Sequence, residues 1–135
     1  MANALFSKGR QGFLSGLIDW DTDDIRVMLV RSTYTFDDND EFLADLGAVD
    51  NGRSAALTSP TVTLGVVDAA DTSLTATSAV ACNALIIFKH TGADATARLI
   101  AYIDTPTSGL PFTPAASQVV DVLWNNGANK IFNWS

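Results

Sequence analysis

Apolar residues recur at helical spacing between residues 2 and 17 and in strand-like runs from residue 25 onward. In the first stretch Leu5, Phe6, Phe13, Leu14 and Leu17 gather on one broad face and Asn3 is placed to cap, which predicts a short N-terminal helix over 2–17. Gly9, Gly12 and Gly16 share a stripe of that helix, and each costs about 1 kcal/mol relative to Ala. The stripe either admits a neighbouring backbone or marks a helix that forms only when docked. Docking is the favoured reading, because so short a helix is marginal alone. After an Asp-rich corner at 19–24, Ile25-Arg26-Val27-Met28-Leu29-Val30 alternates imperfectly and predicts a mostly buried strand, prolonged by Tyr34 and Phe36.

Asp37 to Asp40 then lead into Glu41-Phe42-Leu43-Ala44-Asp45-Leu46 and Gly47. Acids at the start and glycine at the stop predict a helix of one or two turns. Val62, Leu64 and Val66 keep period two, with turn chemistry at 68–71 and a short return strand through Leu74 and Ala76. The clearest hairpin joins Ala84–His90 to Ala97–Asp104 through Thr91-Gly92-Ala93-Asp94. Pro106, Gly109, Pro111 and Pro114 predict a loop, since proline lacks the donor that sheet pairing uses. A final hairpin is expected from Val120, Val122 and Trp124 through Asn125-Asn126-Gly127 to a closing strand over Lys130–Trp134. About seven strands predict a mainly β, single-domain antiparallel β-sandwich or partly closed barrel over 1–135, with its β-rich body over 25–134.

Composition narrows the classes of partner. At 135 residues a domain buries about 68% of the surface its unfolded chain exposes, and 47% hydrophobic against 17% charged residues is not a disordered composition. Eight basic against 15 acidic residues give a net charge of -7, which makes nucleic acid and anionic membranes repulsive partners. The single Cys82, among Val80, Ala81, Ala84 and Leu85, reads as a buried apolar residue rather than a reactive thiolate. No cationic segment leads into a long apolar stretch, and no apolar run reaches the ~18 residues of a membrane span, so folding in a reducing cytoplasm is expected.

Candidate chemistry is sparse. His90 is the sole histidine, and Gly52-Arg53-Ser54-Ala55 fails the nucleophile elbow at its last glycine. Asp19, Asp21 and Asp23 have the 1, 3, 5 spacing of a calcium loop, but Asp24 replaces the glycine at position six and Val30 the glutamate at position twelve. Asp37–Glu41 fails likewise at Phe42. All acids but Glu41 are aspartates, most of them in turn-like clusters, where short carboxylates cap and solvate backbone. Gly9–Gly12 and Gly12–Gly16 lack the Lys-Ser/Thr of a phosphate loop. No catalytic residue, metal site or cofactor is expected. Trp124 reads as core, while Phe6, Trp20 and Trp134 are the candidate contacts with a partner subunit.

Several strings carry a resemblance. Met1-Ala2-Asn3-Ala4-Leu5, Lys8-Gly9-Arg10, Ile18-Asp19-Trp20 and Asp24-Ile25-Arg26-Val27 resemble small virion proteins of tailed bacteriophages. So do Leu99-Ile100-Ala101-Tyr102-Ile103-Asp104 and the stretch from Trp124 to Phe132, with the middle of the chain least similar. The resemblance implies a non-enzymatic structural component of the particle, assembled in the bacterial cytoplasm and present in many copies or as a homo-oligomer. A decoration or cement protein bound to the major capsid protein on the outer head shell is the leading expectation. A neck, tail or fibre-base component, or a host-glycan-binding module, are the other readings.

Overall fold

The computed structural model describes residues 4–104, 113–124 and 131–133. In chain order its strands are β1 (Ala4–Leu5), β2 (Ile25–Arg31), β3 (Asp50–Arg53), β4 (Thr61–Thr63) and β5 (Val66–Asp68). They continue as β6 (Thr72–Thr75), β7 (Cys82–Lys89), β8 (Leu99–Ile103), β9 (Val119–Val122) and β10 (Phe132–Asn133). One α-helix, α1 (Ser7–Leu14), follows β1, and a 3-10 turn spans Leu43–Leu46.

The framework is a five-stranded antiparallel sheet in the order β1-β8-β7-β2-β3, with β2 and β7 at its centre. Both faces of this sheet are covered, which explains the imperfect alternation of the Ile25–Val30 run. Ile25, Val27 and Leu29 face one cluster with Trp20, Leu85, Ile87 and Trp124, while Met28 and Val30 face another with Phe6, Tyr34, Ile86 and Phe88. Each fully buried branched or aromatic side chain contributes about 1.5–3 kcal/mol through lost apolar surface. A smaller sheet, β10-β5-β4, and a ribbon, β6-β9, supply the second layer. The fold is a mainly β, antiparallel sandwich that is not closed into a barrel.

The bridge between Ser54 and Leu74 ties β3 to β6. Gly52 makes that approach possible, since a Cβ there would lie 2.3 Å from the Thr75 carbonyl oxygen and its φ of +129° is one that side chains resist. Beside it, the fully buried Asn51 is satisfied on both ends. Its Oδ1 accepts from Thr77 Oγ1, Ser78 N and Ser78 Oγ, and its Nδ2 donates to Ser78 O and Cys82 Sγ. Cys82 is buried as expected, and burial pushes its thiol above the ordinary range.

Three expectations need correction. The N-terminal helix is confined to Ser7–Leu14 because Ala4 and Leu5 pair with Tyr102 and Ala101 on the edge of β8. Asn3 lies outside the described residues, and the helix start is held by Asp38, which accepts from the Ser7 backbone at 2.8 Å and from its hydroxyl. The strand expected across Val62, Leu64 and Val66 breaks at Leu64-Gly65, whose φ values of 51° and 79° make a tight hairpin between β4 and β5. The short helix of one or two turns expected over Glu41–Leu46 forms, as a single 3-10 turn over Leu43–Leu46, with Gly47 at φ 77° ending it and the Asp45 carboxylate accepting from the Glu41 and Phe42 backbone.

The third correction concerns pairing. Of the expected closing hairpin, the described strands do not pair with each other: β9 pairs with β6 and β10 with β5. Long-range burial decides this, since Val122 and Trp124 are drawn into the core under β5 and β6. The Asn125–Gly127 turn and the Pro106–Pro111 loop lie outside the described residues. The hairpin of β7 and β8 forms as read, with Leu85 opposite Ile103 and Ile87 opposite Ala101.

Candidate functional site

The glycine stripe docks α1 tightly on β8. A Cβ on Gly9 would lie 2.8 Å and 2.9 Å from the carbonyl oxygens of Leu99 and Ile100, closer than real side chains come. At its other end α1 stops in a left-handed Gly16, φ 74°, and Leu17 N–H returns to the Gly12 carbonyl at 2.8 Å. That reversal folds Ile18 back against Gly12 and carries Trp20 into the core.

Between this reversal and the β4–β5 hairpin lies a mostly apolar recess of about 230 Å³, walled by Phe13, Ile18, Trp20, Val62 and Val67 with Gly65 at its lip. Asp19 is the one charged residue lining it among the described residues. The same two segments carry four of the six large apolar side chains exposed among the described residues: Leu14, Leu17, Val62 and Leu64. Leu64 is 98% exposed at the hairpin tip while holding a φ that non-glycine residues rarely adopt. β4 is the last strand of its sheet, so one side of Thr61–Thr63 has no strand partner among the described residues.

The acids at the corner are partly committed to the fold. Asp23 Oδ2 accepts from the Asp19 backbone at 2.7 Å and faces Lys89 Nζ at 3.2 Å, and Asp24 makes two bonds to Arg26. Asp19 and Asp21 remain as a doublet. A hydrogen bond with Asp19 holds the Asp21 carboxyl above the usual range, and hydrogen bonds from Asp21 and Thr22 hold Asp19 below it. Among the described residues no group of three His, Cys, Asp or Glu side chains is placed to hold a metal ion.

Two of the residues expected to meet a partner are buried within the chain. Phe6 is fully buried, tilted against Phe36 at 5.1 Å, and Trp20 is 3% exposed with its indole N–H donating to the Asp68 carbonyl at 2.9 Å. Both are core side chains in this fold, and Trp20 reaches the recess only as part of its floor. Trp134 lies outside the described residues. Trp124 also belongs to the core, its indole donating to Ala70 O at 3.1 Å, so the two indoles clamp the 68–71 turn from both sides. Ser54 Oγ, the nearest approach to a nucleophile elbow, is 3% exposed, accepts from Val27 N and donates to Ala55 O.

Leu64 and the β4 edge are the features that sequence reading missed. The available signal was the Leu64-Gly65 pair between β-formers, a two-residue turn pattern that the Val62–Leu64–Val66 alternation hid. A second recess of about 430 Å³ opens beside Tyr34, Phe36 and Tyr102, where Asn83 Oδ1 is buried with no hydrogen-bond partner among the described residues. No helix among the described residues is long and apolar enough to cross a membrane. Comparison with known protein families, with curated proteins and with solved structures gives no match.

Proposed function

We propose that this chain is a non-enzymatic structural protein of a tailed-bacteriophage particle, a decoration or cement protein that binds the outer head shell and stiffens it. The observation that carries this reading is the concentration of exposed apolar side chains, Leu14, Leu17, Val62 and Leu64, around one recess and one open strand edge. Contiguous apolar surface on a small acidic module marks a protein contact. The likeness of its terminal strings to small virion proteins supplies the setting, and a net charge of -7 suits an outer surface better than one facing packaged DNA.

The test is binding of the purified chain to expanded capsids. Saturable occupancy of symmetric sites, visible as density repeated over the head lattice, is the expected result. Density confined to the neck or tail would assign the chain to another part of the particle and overturn the decoration reading.

A further inference from the structure

We propose that the β4 edge and the recess beside it form a docking site for an extended segment of another virion protein, one that pairs with Thr61–Thr63, buries one aliphatic side chain in the recess and sets a lysine or arginine against Asp19 and Asp21. The proposal rests on the reading of this surface as an assembly contact and names the chemistry of its occupant.

Three observations converge. The first is the edge itself. Natural edge strands are guarded by shortness, proline, charges or bulges; β4 is short and follows Pro60, yet Thr61, Val62 and Thr63 carry no charge, and the side of the strand turned away from β5 has no strand beside it among the described residues. Such an edge is the template for strand addition, in which main-chain bonds supply affinity and a pocket for alternate side chains supplies selectivity. The second is the size of the recess. Cavities of about 150 Å³ admit a benzene ring, so about 230 Å³ takes one aliphatic or aromatic side chain and little more.

The third is charge. Among the described residues the one charged side chain lining the recess is Asp19, and its doublet with Asp21 concentrates negative charge that no described cation pairs with directly. A second copy of this chain would bring a like pair of carboxylates and a further -7 to the same place, whereas a basic segment relieves the repulsion within the doublet. The complementary occupant is therefore basic and apolar, and it belongs to a different protein.

The experiment titrates the full-length, ¹⁵N-labelled chain with two blocked heptapeptides, acetyl-Lys-Val-Lys-Leu-Lys-Val-Lys-amide and its counterpart with glutamate for every lysine. The lysine peptide is expected to shift the Val62–Gly65 amides and the Trp20 indole saturably and to bind at least tenfold more tightly than the glutamate peptide. Val62→Lys, at a half-exposed edge position, should weaken it tenfold or more with an unchanged amide spectrum elsewhere, and Asp19→Asn with Asp21→Asn should abolish the preference for lysine. Equal binding of both peptides, shifts confined to another surface, self-association through β4, or no saturable binding would overturn the proposal. If Val62→Lys still saturates expanded capsids, the docking proposal falls and the decoration role stands. If the wild type binds the lysine peptide and ignores capsids, the reverse holds.

Discussion

Leu64 is held in a conformation that its side chain opposes. Non-glycine residues in the left-handed region lose roughly 1 kcal/mol, least when they are Asn or Asp, and a 98% exposed leucine recovers none of that through burial within the chain. Leu64→Asn should therefore stabilise the isolated protein by about 0.5–1 kcal/mol, because Asn-Gly is the favoured two-residue hairpin turn. A higher urea midpoint with weakened binding to capsids or to the lysine peptide is the expected pair of results; an unchanged or lower midpoint would show that the leucine packs usefully in the free chain. Ion pairs make a second prediction at this scale. Hydrogen bonds from Arg26 and Arg53 hold Asp24 and Asp94 below the usual carboxylate range, so their contribution is present above that range and is lost as pH falls through it. Burial holds Asp40 above it, so Asp40 works in the opposite direction, favouring the fold as it protonates. The Arg53–Asp94 pair is half-exposed on its acid side, which limits it to roughly 0.5 kcal/mol. Asp94→Asn should lower the urea midpoint slightly at pH 7 and leave it unchanged near pH 2.

At the scale of elements, how much can be read from residues depends on whether the pairing is local. β2 and the β7–β8 hairpin were legible because their apolar runs are dense and, for the hairpin, because Gly92 stands in a short connection. Docking of α1 was legible in its glycine stripe. What was not legible depends on partners distant in sequence: β1 forms where residues 4 and 5 meet β8, and β9 and β10 pair with β6 and β5 rather than with each other. Asn51 belongs to the same class, since nothing in Val49-Asp50-Asn51-Gly52 announces a buried amide bonded to residues 77, 78 and 82. The two tryptophans illustrate the limit for sites. An acidic neighbourhood placed Trp20 at a surface, but its indole is needed under the 68–71 turn. The docking of α1 yields a direct test. Gly9→Ala drives a methyl group into two backbone oxygens of β8 that cannot yield independently, so a loss of about 1–3 kcal/mol is expected in urea unfolding. The same change at Gly16 meets no atom within 4 Å and costs only the strain of its φ.

For the whole molecule the relevant fact is that a strongly acidic body presents one apolar surface, around Leu14, Leu17, Val62 and Leu64, with Asp19 at the recess beside it. The net charge of -7 opposes self-association and approach to other anionic surfaces, while the apolar surface rewards contact once a partner arrives. Encounter and adhesion therefore respond differently to salt. If the partner segment is basic, attraction to the acidic body speeds association at low ionic strength, and raising salt from about 20 mM to 500 mM shortens the Debye length from roughly 20 Å to under 5 Å. The association rate with expanded capsids, followed by light scattering or surface-immobilised particles, should then fall about tenfold or more over that interval. Dissociation should change far less, since the apolar recess and strand pairing hold the complex and are little screened. A decoration protein attached by apolar contact to an uncharged or acidic site would behave oppositely, associating faster as salt screens repulsion. The sign of the salt dependence thus discriminates between a basic and a neutral partner without knowledge of the contact residues, and Asp19→Asn with Asp21→Asn should flatten it if the doublet is where the basic group lands.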